Sequence, residues 1–268
     1  MTLTELEKKA CDIRADVVTL IHKAGCGHIG GDMSEVEALV ALYYKHLYCS
    51  PENEADPDRD RFVETLYCIL ADRGYFDKAE LMDTYSAYGS RFIGHPNNKI
   101  PGVEMNSGSL GHGLSVAVGM AKAGKMDGRD YHVYAVLGDG ELAEGSVWEG
   151  VMAGGHFKLD NLTALVDRNR LQISGSTEDV MRQDSQETRW AAFGWNVISI
   201  PGNDMAAVDS ALTLAKETKG KPTVIILNTT KGCGVSFMEN LAVWHHKVMD
   251  DAQYETAMAE IAERKASL

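Results

Sequence analysis

The sequence lacks the features of a membrane protein and of a disulfide-stabilised protein. No apolar run approaches the roughly 18 residues that a transmembrane helix needs. The five cysteines are odd in number and form no Cys-X-X-Cys pair, which favours reduced thiols in a cytosolic protein. Residues 1–9 are typical of a capped, charged helix start rather than of an apolar signal peptide. We therefore expect a soluble, cytoplasmic protein with no membrane partner.

Positive charge is also scarce. The chain has 26 Lys and Arg residues against 39 Asp and Glu residues, giving a formal net charge of −13. Such a chain repels nucleic acids and anionic membranes, so neither is an expected partner. An anionic small ligand is still allowed, because a site can be locally positive. The length of 268 residues is sufficient for one large core, so we expect a single domain over residues 1–268.

The first half of the chain is predicted to be mostly helical. Apolar spacing predicts a first helix over residues 4–24, followed by a glycine-rich turn over residues 25–31. Ser34 and Glu37 have the spacing of a capping box, which predicts that Ser34 is the N-cap of the next helix. Further along the chain we predict a loop at 50–61, a helix at 64–73, an irregular segment at 85–113 and a helix at 113–125.

The second half alternates between strands and helices. Apolar runs predict strands at residues 132–137, 161–166, 195–200 and 222–228. The intervening helices are predicted to end near Lys158 and Lys219, with Asn203 capping the second. Near-continuous apolar strands separated by helices indicate an α/β fold, a parallel sheet with helices on both faces. Ligands of such sheets bind beyond the carboxyl ends of the strands.

The motif with the clearest chemistry is Gly138-Asp139-Gly140-Glu141, which directly follows a predicted strand. Its glycines allow a tight turn and close approach of an anion, and the next helix directs its N-terminal N–H groups to the same place. Asn169 follows the neighbouring strand. Asp139, Asn169 and a nearby carbonyl, that of Leu171, would supply oxygens for magnesium beside a diphosphate. A simple strand-end turn with an unrelated asparagine is the alternative, since Gly-Asp-Gly alone is common.

Taken together, these residues resemble the thiamine-diphosphate and magnesium motif of the transketolase family. Four further runs match that family in the right order: GHIGG at 27–31, GHP at 94–96, NSGSLGHGL at 106–114, and KGCGV with WHHK at 231–235 and 244–247. The resemblance covers nearly the whole chain. It implies the diphosphate-binding domain of a thiamine-diphosphate-dependent transketolase, with magnesium as the ion and calcium or manganese able to substitute.

The resemblance also implies roles for individual residues. The implied metal ligands are Asp139, Asn169 and the carbonyl of Leu171. The implied cofactor contacts are Gly108, Leu110, Gly138, Asp139, Gly140, Glu141, Asn169, Leu171, Lys231, His245 and Lys247. The implied catalytic group comprises His28, His95 and His245, which would line the substrate channel, and Glu144, which would lie at a subunit interface. For Lys231 and Lys247 a solvated surface position is an equally good interpretation, and His22, His46, His132 and His156 are interpreted as structural.

The sequence departs from the family in two ways. A full transketolase continues into a pyrimidine-binding domain and a C-terminal domain, and a glutamate that activates the aminopyrimidine belongs to that part. We therefore expect the partner to be a separate C-terminal transketolase subunit, the assembly to be an α2β2 heterotetramer, and the substrates to be sugars. Secondly, a short segment containing Ser-Lys-Gly-His is missing after Val63. Either the deletion is genuine or the sequence omits a mobile loop, and the uninterrupted match on both sides favours the second explanation.

Three functions follow from these observations. The first is a transferase subunit that moves a two-carbon ketol unit from a ketose, phosphorylated or otherwise anionic, to an aldose. The second is a non-catalytic or regulatory subunit that has kept the fold, which the missing segment favours and the intact magnesium motif opposes. The third, an α subunit of a 2-oxo acid dehydrogenase, shares the Gly-Asp-Gly and Asn motif but not the other runs.

Overall fold

The structure is a computed structural model that describes residues 1–63 and 66–268. Its main sheet has five strands, all parallel, in the order β1-β2-β3-β7-β6. The strands are β1 (Arg61–Val63), β2 (Val133–Gly138), β3 (Leu162–Arg168), β6 (Asn196–Pro201) and β7 (Thr223–Asn228). A small antiparallel hairpin, β4 (Leu171–Gln172) and β5 (Gly175–Ser176), follows β3. The predicted parallel α/β fold is confirmed.

Eleven α-helices are found in the described ranges. They are α1 (Leu3–Ala24), α2 (Ile29–Ser34), α3 (Val36–Ala41), α4 (Tyr67–Asp72), α5 (Lys78–Thr84), α6 (Gly113–Met126), α7 (Gly145–His156), α8 (Thr177–Val180), α9 (Gln186–Ala192), α10 (Met205–Glu217) and α11 (Asp251–Ser267). A π-helix extends α3 over Leu42–His46, and short 3-10 helices occupy Pro51–Asn53, Gly140–Ala143 and Ala242–His245. None of these helices is long and apolar enough to cross a membrane.

Two apolar cores lie on the two faces of the sheet. Alternate residues of a strand point to opposite faces, so Tyr134 packs in one core and Ala135 in the other. The first core contains α1, α3 and α10, and the second contains α6 and α7. Because both faces are covered, the central strands are continuous apolar runs, which explains why they are recognisable in the sequence.

Most predicted elements are confirmed to within a few residues. The helix predicted at 4–24 is α1, and Thr2 and Glu5 form its capping box. The segment predicted to be irregular contains no helix or strand between Tyr85 and His112. Of the helix predicted at 64–73, the structure shows Tyr67–Asp72. Residues 64 and 65, at the junction where the Ser-Lys-Gly-His segment is missing, lie outside the described residues.

Two predicted helix caps are wrong, because tertiary partners take the side chains. Ser34 is the last residue of α2, and its Oγ donates to the carboxylate of Asp167 at 2.6 Å. Glu37 instead forms a buried ion pair with Arg14 at 2.6 Å. Asn203 donates to Glu37 at 3.0 Å, and the adjacent Asp204 caps α10. The predicted turn at 25–31 is also shorter, since α2 begins at Ile29.

Several elements had no prediction. Strand β1 has only three residues, too few for a periodic pattern, and its first residue lies in the predicted loop at 50–61. The hairpin of β4 and β5 and the helices α5, α8, α9 and α11 were also missed. Helix α11 packs along α1, so the N-terminal and C-terminal helices lie side by side.

Candidate active site

A cavity of about 650 Å³ lies at the carboxyl ends of β2 and β3, the edge at which parallel sheets bind ligands. The motifs from distant parts of the sequence meet there. Its lining includes the following predicted site residues: His28, His95, Gly108, Leu110, Gly138, Asp139, Gly140, Glu141, Glu144, Asn169, Leu171, Lys231 and His245.

Asp139 lies directly after β2 at the floor of this cavity and is only 1% exposed. Its Oδ2 accepts a hydrogen bond from the backbone N–H of Arg170 at 2.6 Å. Burial raises the pKa of Asp139 to about 7, because the carboxylate has lost water and the backbone N–H of Arg170 and the charge of Lys231 offset only part of that loss. A buried carboxylate whose charge is only partly offset by its neighbours is a suitable ligand for a cation.

Asn169 lies one strand away and is held by its neighbours. Its Nδ2 donates to Oδ2 of Asp167 at 2.8 Å, and its Oδ1 accepts from the N–H of Leu171 at 3.0 Å. Asp167, at the end of β3, also accepts hydrogen bonds from the hydroxyls of Ser34 and Thr229. Sequence reasoning missed Asp167, although a carboxylate at the end of an apolar strand and two residues before Asn169 was a usable signal.

Lys231 places a positive charge beside these acids. It is 1% exposed, and its pKa is lowered by burial against the opposing attraction of Asp167, Asp139 and Asp32. Three carboxylates around one ammonium leave an excess of negative charge, which suits a divalent cation, while the ammonium suits a phosphate group. The donors present therefore fit a magnesium ion bound together with a diphosphate.

Two glycines allow the chain to approach closely around the cavity. A Cβ on Gly140 would lie 3.1 Å from the Cβ of Gln172, so the turn after Asp139 packs tightly on the β4–β5 hairpin. A Cβ on Gly30 would lie 2.8 Å from the carbonyl oxygen of Trp244 and 3.0 Å from Cε of Lys231. Side chains at either position would displace groups that line the site.

Glu141 connects two of the motifs. It is buried, and its two carboxylate oxygens accept the backbone N–H groups of Gly111 at 2.8 Å and of Gly138 at 3.2 Å. Burial raises the pKa of this carboxyl group, and the two amides oppose the rise. Since both oxygens are engaged, Glu141 fixes the loop of Gly111 against the end of β2.

Three histidines lie at one side of the cavity. The ring centroid of His28 is 5.5 Å from that of His95 and 5.6 Å from that of His245. Nδ1 of His245 is 3.3 Å from Nζ of Lys231. Burial lowers the pKa of His28 and of His245 to about 4, so both imidazoles are neutral near pH 7 and can donate and accept hydrogen bonds.

Other predicted residues lie elsewhere. Lys247 is exposed, its Nζ lies 4.6 Å from the ring centroid of Trp244, and it is not among the described residues that line the cavity.

The histidines interpreted as structural also lie away from the cavity. His132 bonds Thr163 at 2.8 Å, His46 bonds Asp209 at 2.8 Å, His22 stacks on Tyr254, and His156 contacts Phe157.

Sequence reasoning also missed Asp32 and an apolar wall. Asp32 lines the cavity directly after the GHIGG run, and burial raises its pKa to about 7. The apolar wall comprises Val17, Leu20, Ile21, Leu66, Tyr67 and Tyr85. The apolar spacing of α1 places the first three on one face of that helix, but it gives no indication that they border a cavity.

Comparison with known proteins agrees with this geometry. Residues 6–262 match the family described as transketolase, thiamine diphosphate binding domain. One of the subunits of the apulose-4-phosphate transketolase of Phocaeicola vulgatus is 46% identical over 271 residues, which cover 98% of this chain and 96% of that protein. One of the subunits of the 6-deoxy-6-sulfo-D-fructose transketolase of Clostridium sp. strain MSTE9 is 39% identical, with 98% of each chain covered.

A solved structure shows the same arrangement. The crystal structure of transketolase from Campylobacter jejuni superposes with a TM-score of 0.92 at 30% identity, covering 98% of this chain and 43% of that chain. The chain therefore spans less than half of that transketolase but nearly the whole of the two separate subunits. It belongs to the transketolases, a family of transferases, and corresponds to their thiamine-diphosphate-binding domain.

Proposed function

We propose that the chain is the diphosphate-binding subunit of a split transketolase, which transfers a two-carbon ketol unit from a ketose to an aldose. The observation that carries this proposal is the convergence of Asp139, Asn169 and Lys231 at the carboxyl edge of the sheet. A buried acid with a raised pKa, an oriented amide and a buried ammonium together form a complementary site for magnesium and a diphosphate.

In this proposal the metal ligands are Asp139, Asn169 and the carbonyl of Leu171, with magnesium as the ion. Lys231 neutralises part of the diphosphate charge. The backbone at Gly108, Leu110, Gly138 and Gly140 approaches the cofactor. Glu141 has a positioning role, because its oxygens already bind the N–H groups of Gly111 and Gly138. Lys247 is left out of the cofactor site, since it lies over Trp244.

Bound thiamine diphosphate supplies the carbanion chemistry of ketol transfer. The residues of this chain hold the diphosphate and orient the sugar. His28, His95 and His245 lie together beside the cavity and can hydrogen-bond sugar hydroxyls. Glu144 is exposed at the cavity lining, a position from which it can face a second subunit.

The partner and substrate follow from the relatives. Two proteins of nearly the same length are named as transketolase subunits, whereas this chain covers 43% of a solved transketolase. We infer that a separate subunit supplies the pyrimidine-binding and C-terminal domains in an α2β2 heterotetramer, with the active site between the subunits. The names of the relatives specify a phosphorylated and a sulfonated sugar, so we infer an anionic ketose as donor.

The proposal is tested by reconstitution. The chain is assayed alone and with the C-terminal transketolase subunit of the same genome, using thiamine diphosphate, magnesium and a set of donors: xylulose 5-phosphate, apulose 4-phosphate and 6-deoxy-6-sulfo-fructose. We expect ketol transfer to ribose 5-phosphate or glyceraldehyde 3-phosphate only in the mixture. Absence of transfer from every donor, in a mixture that binds the cofactor, would contradict the proposed activity.

A non-catalytic subunit is the second candidate, favoured by the missing Ser-Lys-Gly-His segment. The two functions differ in what Asp139 does. In a catalytic subunit, Asp139→Ala abolishes the activity of the mixture even with excess cofactor. In a regulatory subunit, the same substitution leaves the activity of the complex unchanged, and the activity then belongs to the partner.

A further inference from the structure

Three imidazoles come together beside the cavity. His28, His245 and His246 each offer a ring nitrogen within 4.8 Å of the others. The ring centroids of His246 and His28 are 4.4 Å apart, and those of His246 and His245 are 4.6 Å apart. Within residues 1–63 and 66–268, no other set of three histidine, cysteine or acidic side chains brings one ligand atom from each within this distance of the others.

We propose that this tris-histidine cluster binds a divalent first-row transition ion such as Zn²⁺, separately from the Asp139 and Asn169 site. Three imidazoles with one open position form a common zinc arrangement, with Zn–N distances of about 2.0–2.1 Å. Imidazole nitrogen suits zinc, copper and nickel, whereas oxygen donors suit magnesium. A tetrahedral ion would bring the nitrogens to about 3.4 Å from one another, a movement on the order of 1 Å from the present spacing.

The surroundings of the three rings permit such a movement. His246 is exposed and His28 and His245 are half-buried. The rings of His28 and His246 make ring contacts only with other histidines in the part of the chain that the structure describes, so bringing them closer together breaks no other ring contact.

Lys231 opposes binding, because its Nζ lies 3.3 Å from Nδ1 of His245. Its charge is offset by Asp32, Asp139 and Asp167. Ligation by His245 through Nδ1 would require this contact to loosen, whereas ligation through Nε2 would keep the ammonium close to the ion. Either case weakens the site but leaves it open to ions with high affinity for imidazole.

Binding would have a consequence for turnover, which rests on the proposed function. His28 and His245 line the cavity, so an ion held by them would obstruct the sugar. Zn²⁺ is therefore expected to inhibit ketol transfer through His246, a residue that the cavity lining does not include. Ion binding itself is independent of that function and is measured without substrate or partner.

The test uses Co²⁺ as a spectroscopic probe on the full chain, free of magnesium and cofactor. We expect one Co²⁺ with visible d–d absorption, displaced by Zn²⁺, and at least about 10-fold weaker binding in His246→Ala. His156→Ala, at an exposed histidine outside the cluster, should bind Co²⁺ as the wild type does. Binding in His246→Ala equal to the wild type would overturn the proposal.

A second variant identifies the ligand directly. His246→Cys should retain Co²⁺ and add a thiolate-to-cobalt charge-transfer band in the near ultraviolet, because the sulfur then belongs to the coordination shell. Absence of that band in a variant that still binds Co²⁺ would place the ion elsewhere. In the reconstituted enzyme, Zn²⁺ should inhibit the wild type at least about 10-fold more strongly than His246→Ala.

Discussion

The two edges of the sheet bury polar side chains in opposite ways. At the amino edge, both oxygens of Asp60 accept backbone N–H groups, from His132 at 2.7 Å and Tyr48 at 2.9 Å, and Nε2 of His132 lies 2.8 Å from Oγ1 of Thr163. At the carboxyl edge, Asp139 and Asp32 are left with a pKa raised to about 7. The Asp60 carboxylate and the His132 ring are therefore paired within the chain. The two acids at the carboxyl edge instead keep raised pKa values, at the place where we propose that metal and diphosphate bind.

This difference separates stability from function. Buried polar groups with full sets of partners stabilise the fold, and buried acids with raised pKa values in a cavity are candidates for ligand binding. Substitutions at the amino edge should therefore affect unfolding, and substitutions at the carboxyl edge should affect binding and turnover.

The largest effect is expected for Asp139→Asn. Loss of the charge should lower ketol transfer by the reconstituted enzyme by at least about 100-fold, since even substitutions of residues that support a metal ligand cost 10–100-fold. The free energy of unfolding of the chain alone should not fall, because burial already disfavours the charged form of this carboxyl group. Activity within about threefold of the wild type at saturating cofactor would remove the distinction between the two edges.

Gly108→Ala is expected to have the next largest effect. Gly108 has φ +98°, and an added Cβ would lie 2.6 Å from Cγ of His95, so the substitution should displace that ring. We expect activity to fall about 10- to 100-fold, as small displacements of active-site groups do. Gly128→Ala is the matched control, because Gly128 also has positive φ, +67°, but its Cβ would meet nothing within 4 Å. Equal losses in both variants would show that backbone strain alone is responsible.

The amino edge is tested with Asp60→Asn. The amide can accept from only one side, which leaves the N–H of Tyr48 or of His132 without its partner. The free energy of unfolding in urea should fall by about 1–3 kcal/mol. Turnover of the reconstituted enzyme should stay within about twofold of the wild type at a temperature where both are folded. A large loss of turnover would mean that the amino edge also shapes the site.

The smallest effects are expected from pH, and their signs differ between the edges. The pKa of His132 is lowered by burial to about 3 from 6.5, so between these values the unfolded chain binds a proton that the folded chain does not. Its contribution lowers stability as pH falls, by about 1.4 kcal/mol per pH unit. Asp139 has its pKa raised from 3.8 to about 7, so the folded chain binds the extra proton and stability rises as pH falls through that window.

Urea unfolding between pH 7.5 and 5, with a chelator present, measures the two contributions. His132→Gln should make the loss of stability toward pH 5 shallower than in the wild type. Asp139→Asn should make it steeper. The same slope in all three chains would contradict the opposite roles of the two edges.

Local sequence patterns made much of the fold and part of the candidate site predictable. Alternating apolar strands and helices give the parallel sheet, and Gly-Asp-Gly followed by Asn169 marks its carboxyl edge, because these patterns depend on neighbours in the chain. The predictions failed where a residue distant in the sequence determines the partner of a side chain. The spacing of Ser34 predicts a helix cap, yet its hydroxyl binds Asp167, 133 residues away. Asp32 was missed because its burial depends on how α2 packs at the cavity.

The most direct test is a calorimetric titration of thiamine diphosphate into this chain mixed with its partner, with and without magnesium. It compares the wild type, Asp139→Asn and Asp60→Asn. We predict magnesium-dependent binding to the wild type and to Asp60→Asn with affinities within about twofold of each other, and a loss of at least about 100-fold for Asp139→Asn. Binding by Asp139→Asn as tight as by the wild type would contradict the assignment of the carboxyl edge as the site for metal and diphosphate.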